Sequence, residues 1–293
     1  MKIHRTAAVL ASILIASGTA VNIFSTGVNS SSVRTVSAAS VTYTNDLSGF
    51  ITRMYNVCAD REPSEKALAN WKTLTSVNLA SGAVIVQTFF NSDEYKARKR
   101  TNEEIVEDCY KAILGRSADA SGKATWVKRL EIGMTVDSIC KGLVSSTEFK
   151  NYCTLIGIKA GDIQYKYARD ENFERTYFVY RLYDNCLGRK PDIAGLENWC
   201  LNIKKGYTGA KMVNGFVNST EYKNRKTSNN DFVTMLYKTL LGRNPDENGL
   251  KTWTAALRSG KSRNAIINGF LFSSEFKGQC AKVGIVVGTK LPE

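Results

Sequence analysis

Histidine is all but missing from this chain: there is one, His4, in 293 residues. Lys2 and Arg5 precede an apolar run from Ala7 to Ala16, which reads as the charged and hydrophobic regions of a secretory signal. Cleavage is expected after Ala20 or, in preference, after Ala39, because Ser25 to Ser48 is polar and of low complexity. A signal peptide over 1–39 would carry His4 away and leave an exported chain without imidazole. That excludes imidazole general bases, Ser-His-Asp and Cys-His nucleophile pairs and histidine-ligated zinc. No cofactor and no metal site is expected. Asp246-Glu-Asn-Gly249 offers the start of an acidic calcium loop but lacks the later bidentate Glu. Long apolar runs are missing too: none reaches the roughly 20 residues of a spanning helix, so no transmembrane helix is expected.

Acidic residues are in deficit. Lys and Arg number 40 against 27 Asp and Glu, a formal net charge of +13. The first 40 residues contain three basic and no acidic residues, so their removal leaves 37 against 27. The densest basic run, Lys96 to Arg100, has no interleaved aromatics, which argues against a nucleic-acid partner. For an exported chain the expected partners are an anionic cell-wall polymer, a glycan or a surface protein.

What is abundant is repetition. A Tyr and a Trp stand 16 residues apart four times: Tyr55/Trp71, Tyr110/Trp126, Tyr183/Trp199 and Tyr237/Trp253. Each Trp is followed 23 or 24 residues later by the aromatic of a closing Ser-x-Glu-aromatic-Lys tag. Fixed spacing of this kind is the mark of one packing unit used repeatedly. Successive Trp residues lie 55, 73 and 54 positions apart, so the repeats are paired and the middle interval is longer. Both pairs also end alike, in FKNYCTLIGIKAG and FKGQCAKVGIVVG. The expected layout is a polar segment at 40–47, a two-repeat domain at 48–161, a joint at 162–176 and a second two-repeat domain at 177–293, each long enough for its own core.

Sustained period-two alternation is absent, and the periodicity present is helical. Phe178, Val179, Leu182, Tyr183, Cys186 and Leu187 fall on one helix face, as do the corresponding residues of the other repeats. Gly115, Gly188 and Gly242 then stop the first helix, with Asp60 in that place in the first repeat. Asp119, Asp192 and Asp246, and Ser64 in the first repeat, are placed to cap a second helix. Ser92, Ser146, Ser219 and Ser273 cap a short closing helix, with Glu in its first turn. The fold class is all-α, with four helical repeats of about 50 residues. The recurring Arg116, Arg189 and Arg243 are expected to bond helix-end carbonyls or the capping Asp. The four Trp residues read as packing anchors.

The segments LGRKPDIAGLENW at 187–199 and LGRNPDENGLKTW at 241–253, with the closing GFVNSTEY and GFLFSSEF, resemble the bacterial domain of unknown function 4214 family. The resemblance covers about 48–153 and 178–280, four copies in all, the first departing at the LG and PD positions. It implies a helical unit, distantly similar to phycobilisome linker domains, which are structural connectors. It implies no catalytic activity and no assigned binding residues.

Seven cysteines in an exported chain raise the question of disulfides. Cys58 and Cys186 share one repeat position and Cys153 and Cys280 another, with separations of 95 and 94. This recurrence suggests Cys58–Cys153 and Cys186–Cys280, with Cys109–Cys140 as a third pair. The alternative is buried free thiols. The aromatics of 163–177 lie outside the repeat, and two readings are open: an inter-domain helix packed on both halves, or an exposed patch in which Tyr165, Tyr167 and Phe173 are candidate contacts for a glycan or protein. The expected function is non-enzymatic: a secreted, extracellular or surface-associated binding or scaffold module. The alternative is a carboxylate-dependent, glycoside hydrolase-like enzyme.

Overall fold

A computed structural model describes residues 42–292; the expected signal peptide lies outside them. The described residues are helical, with no strand among them. They form two compact units, one comprising 42–128 with 136–164, the other 129–135 with 165–292. The division therefore falls after Gln164. It also assigns a short stretch of the second repeat, Arg129–Thr135, to the later unit.

The first unit contains α1 (Leu47–Ala59), α2 (Glu65–Ser76), α3 (Gly82–Phe90) and α4 (Asp93–Ala97). These are followed by α5 (Asn102–Leu114), α6 (Ala120–Glu131, whose last turn belongs to the other unit), α7 (Val136–Val144) and α8 (Thr147–Leu155). The second unit begins with a 3-10 turn at Ala168–Asp170. It continues through α9 (Phe173–Arg181), α10 (Ile193–Lys204), α11 (Gly209–Val217), α12 (Thr220–Asn224), α13 (Asn229–Leu236), α14 (Glu247–Arg258), α15 (Arg263–Leu271) and α16 (Ser274–Val283). Here α9 and α13 run on into wider π turns, Leu182–Leu187 and Tyr237–Leu241.

Local chemistry starts and stops these helices where the sequence placed the signals. Asp119, Asp192 and Asp246 each accept the backbone N–H three residues on at 2.8 Å, and Ser64 accepts that of Ala67 at 3.2 Å. Each closing-tag serine does two jobs. Ser219 Oγ accepts from Tyr222 N at 3.1 Å and donates to Phe216 O at 2.7 Å, tying the end of α11 to the start of α12. Gly115, Gly188 and Gly242 hold φ near +72° in the left-handed region, where a Cβ is strained (73°, 71° and 71°).

Tertiary packing explains the remaining recurrent residues. In the second unit Tyr183 and Trp199 pack on Phe216, with centroids at 4.9 and 5.0 Å. Tyr237 and Trp253 pack on Phe270 in the same way, at 4.9 and 5.1 Å. In the first unit Tyr55 and Trp71 share Phe89. Trp71 is buried, and Trp126, Trp199 and Trp253 are half-buried, their rings against Gly142, Gly215 and Gly269, where any Cβ would collide. Each unit is closed by its own tail. Gly82 N and Ala83 N donate to Lys159 O and Ala160 O at 2.8 Å. Gly209 N and Ala210 N donate to Val286 O and Val287 O at 2.9 and 2.8 Å. The tails thus satisfy the orphan N–H groups at the start of α3 and α11, which accounts for the matched endings in the sequence.

The structure presents the cysteines in reduced form. All seven are buried free thiols, and none of Cys58–Cys153, Cys186–Cys280 and Cys109–Cys140 is bonded. Cys153 and Cys280 recur because they pack on Gly82 and Gly209 under the tail. Cys186 packs instead on Met235 Sδ at 3.4 Å, and Cys58 lies near Cys140 and Asp108. Cys109 and Cys140 have their sulfurs 4.0 Å apart, in contact but unbonded.

Burial pushes the thiols of Cys153, Cys186 and Cys280 up to about 12 and that of Cys200 up to about 11. Native protein should therefore resist a thiol reagent at pH 8, and all seven groups should react on unfolding. In oxidative crosslinking followed by peptide mapping, Cys109–Cys140 should form and Cys58–Cys153 should not.

Candidate functional site

The most exposed recurrent chemistry is an Arg–Glu–Tyr clamp built once per repeat. Arg116 Nε and Nη2 donate to Glu148 Oε1 and Oε2 at 2.7 and 2.8 Å. Arg189 holds Glu221 at 2.6 and 3.1 Å, and Arg243 holds Glu275 at 2.7 and 2.9 Å. In the first repeat Arg61 holds Glu94 at 2.9 and 3.3 Å. Each guanidinium also lies over the repeat's Tyr: Arg61 on Tyr55 at 4.8 Å, Arg116 on Tyr110 at 5.3 Å, Arg189 on Tyr183 at 5.1 Å and Arg243 on Tyr237 at 4.9 Å. The expectation that Arg116, Arg189 and Arg243 bond helix-end carbonyls or the capping Asp is thereby corrected. Their main partner is the closing-tag Glu, and only Arg243 also reaches its capping Asp246, at 3.5 Å. The bidentate fork joins the loop after the first helix to the start of the closing helix.

Other arginines, which periodicity did not single out, do take the helix-end carbonyls. Arg53 is buried on α1, and its Nε and Nη2 donate to Ala112 O and Ile113 O at 3.0 and 3.2 Å. Arg98 donates to Val57 O, and Arg225 donates to Asn185 O at 3.1 Å and to Cys186 O. Burial lowers the pKa of Arg53, as it does for Arg181, the residue in the same repeat position of the second unit. The guanidinium of Arg181 sits against Gly242, where a Cβ would meet it. A residue two before the repeat's Tyr and a residue three after the closing aromatic are the signals that could have identified this set.

The aromatics outside the repeat fall in the second unit and are half-buried. Tyr165 and Tyr167 precede the 3-10 turn, and Phe173 opens α9, so 163–177 is not one helix. Arg169 lies over Tyr167 at 4.1 Å, and Lys166 lies over the same ring at 5.2 Å. Phe173 stacks on Tyr177 at 5.6 Å and Tyr177 on Tyr180 at 6.4 Å, with Arg129 over Phe173 and Arg181 over Tyr177 at 5.1 and 5.2 Å. The structure thus gathers Phe173 with Tyr177 and Tyr180 into a cation-flanked stripe. Arg169 itself is fixed by Glu197 at 3.1 Å and by Gly133 O at 3.0 Å.

Two predictions separate the buried from the exposed arginines. Arg53→Ala leaves two buried carbonyls unpaired and should cost about 2–4 kcal/mol in chemical unfolding, whereas Arg116→Ala, at an exposed pair, should cost less than about 1 kcal/mol. The clamp also sets an acid dependence. Hydrogen bonds from arginine lower the carboxyl pKa of Glu148, Glu221 and Glu275. A depressed folded pKa contributes stability that is present above the unfolded value, about 4.3, and lost as pH falls through the folded one. A triple Glu148→Gln, Glu221→Gln, Glu275→Gln variant should therefore lose less stability than the parent between about pH 4 and pH 2 in acid-titrated thermal melts.

No curated protein and no solved structure matches this chain. Three segments, 86–153, 160–226 and 217–280, match the family described as a domain of unknown function, DUF4214. These segments carry the clamps of Arg116, Arg189 and Arg243 together with their glutamates, and the chain belongs to the DUF4214 family.

Proposed function

We propose that this is a secreted, non-catalytic helical repeat protein acting as a binding or scaffold module at the cell envelope, its partner an anionic wall polymer or glycan. The observation that carries this reading is the distribution of charge. Over 42–128 and 136–164 there are 15 Lys and Arg against 14 Asp and Glu. Over 129–135 and 165–293 there are 22 against 13, a net +9. Nearly all the excess positive charge therefore sits on one unit, as expected of a surface that attracts a polyanion. The half-buried Tyr165, Tyr167 and Phe173 belong to that same unit, beside the cations Arg129, Lys166 and Arg169.

Two further points support a binding role over the carboxylate-enzyme alternative. The recurrent glutamates Glu148, Glu221 and Glu275 are each held by an arginine that lowers their pKa, the wrong direction for a proton-donating acid. The 48–96 segment repeats the clamp through Arg61 and Glu94, and we take it as a fourth, diverged family copy. A chain of four such copies has the character of a connector, the role that resemblance to phycobilisome linker domains implies.

The test is retention of the secreted full-length chain on a purified anionic wall polymer at low ionic strength, with a neutral glucan as control. Retention should fall as salt rises. It should drop about tenfold or more for Lys190→Glu, Lys205→Glu, Lys251→Glu combined, and little for Lys66→Glu, Lys72→Glu, Lys150→Glu. Equal loss from both triple variants, or equal retention on the neutral glucan, rejects the reading.

A further inference from the structure

The second unit contains a cleft of about 180 Å³ where the end of α11 and the start of α12 meet α13 and α15. Its floor is apolar, made by the buried side chains of Val217, Tyr222, Phe232 and Ile267. Its rim is polar and positive: Lys223 and Arg263, with Asn218 and Asn264 beside them. Arg263 is held in place. Its guanidinium lies 4.6 Å from the Phe232 centroid, and it donates to Thr227 Oγ1 at 3.1 Å and to the Thr227 carbonyl. That commits two of its five N–H groups and leaves donors over. Neither Lys223 nor Arg263 is in an ion pair among the described residues.

The corresponding positions of the first unit carry different side chains. Phe90 stands where the second unit has Val217, and its ring packs edge-on against Tyr95 at 4.9 Å. Val136 stands in place of Arg263, and Asp137 in place of Asn264. Asn91, the counterpart of Asn218, donates to Asp137 Oδ1 at 2.8 Å and bridges the two helices. In the second unit the two asparagines turn elsewhere, Asn218 to Asn214 Oδ1 and Asn264 to Pro292 O, each at 2.7 Å. Between the units, then, Phe90 gives way to Val217 while Ile105 gives way to the ring of Phe232, the bridging carboxylate is lost at Asn264, and Arg263 adds a fixed guanidinium over that ring.

We propose that this cleft seats one anionic sugar or polyol unit of a polymer. The apolar face of the unit rests on Phe232 and Ile267, and its carboxylate or phosphate lies between Lys223 and Arg263. The size fits one unit rather than an oligomer, being below the roughly 300 Å³ at which ordinary ligand pockets begin. The proposal rests on the polyanion-binding reading above and names where the polymer is held.

The experiment is amide-resolved NMR of the full chain titrated with galacturonate, glycerol 1-phosphate or neutral galactose. Shifts should appear at Val217, Lys223, Arg263 and Asn264 with one or both anions and not with galactose, and the stronger of the two identifies carboxylate or phosphate as the recognised group. Val217→Phe, which installs the first unit's residue, should abolish the shifts, and Lys223→Gln should weaken binding at least about fivefold. No shifts with either anion, or shifts unchanged in Val217→Phe, overturn the cleft. Retention on polymer separates the two readings: a retained chain with a silent cleft rejects this inference alone, whereas cleft shifts without retention reject the broader function alone.

Discussion

A helix that ends inside a bundle leaves carbonyl groups pointing into a place water does not reach, and this protein depends on how those groups are met. The first helix of each repeat stops at a left-handed residue, Asp60, Gly115, Gly188 or Gly242, so its last carbonyls are exposed to the interior. Arginines reach three of the four ends. Arg53 spans from α1 to α5, Arg98 returns from beyond α4 to α1, and Arg225 returns from beyond α12 to the end of the helix that begins with α9. Each bond joins elements that are 39 to 60 residues apart in sequence. These bonds hold three of the four first-helix ends in place.

The Arg–Glu–Tyr clamp works on the outside of the same frame. At side-chain exposures near 45% its ion pairs contribute little stability individually. What the bidentate fork supplies is direction: it orients the closing helix relative to the loop, and the Tyr beneath it is shared with the aromatic stack that carries the Trp. The recurrent Arg and Glu are thus partnered within the chain itself. The two units differ instead in net charge and in the side chains at a few corresponding positions.

Much of the fold was legible because helix signals are local. Ser or Asp followed by a free N–H three residues on, and Gly after an apolar face, report their geometry within one turn, and the caps at Asp119, Asp192, Asp246 and Ser219 formed where the spacing put them. Cysteine partners were less legible, for the opposite reason. Cys153 and Cys280 recur together with Cys58 and Cys186, but recurrence records that a position is used in the same way twice, not which residue it touches. Cys153 and Cys280 recur because Gly82 and Gly209 leave room for a sulfur beneath the tail strap, a contact between residues about 70 positions apart in sequence.

The sequence by itself determined that this is an all-α repeat protein and which residues cap most of its helices, because periodicity and capping are properties of neighbouring residues. Only the tertiary structure decided which arginine meets which acceptor and that the closing-tag Glu belongs to the clamp. It alone showed that Cys109 and Cys140 are neighbours while Cys186 packs on Met235, and that a cleft lies beside Val217 and Arg263. Those outcomes depend on distances across the chain, set by how side-chain volume fills a particular core, and no spacing rule along the sequence encodes them.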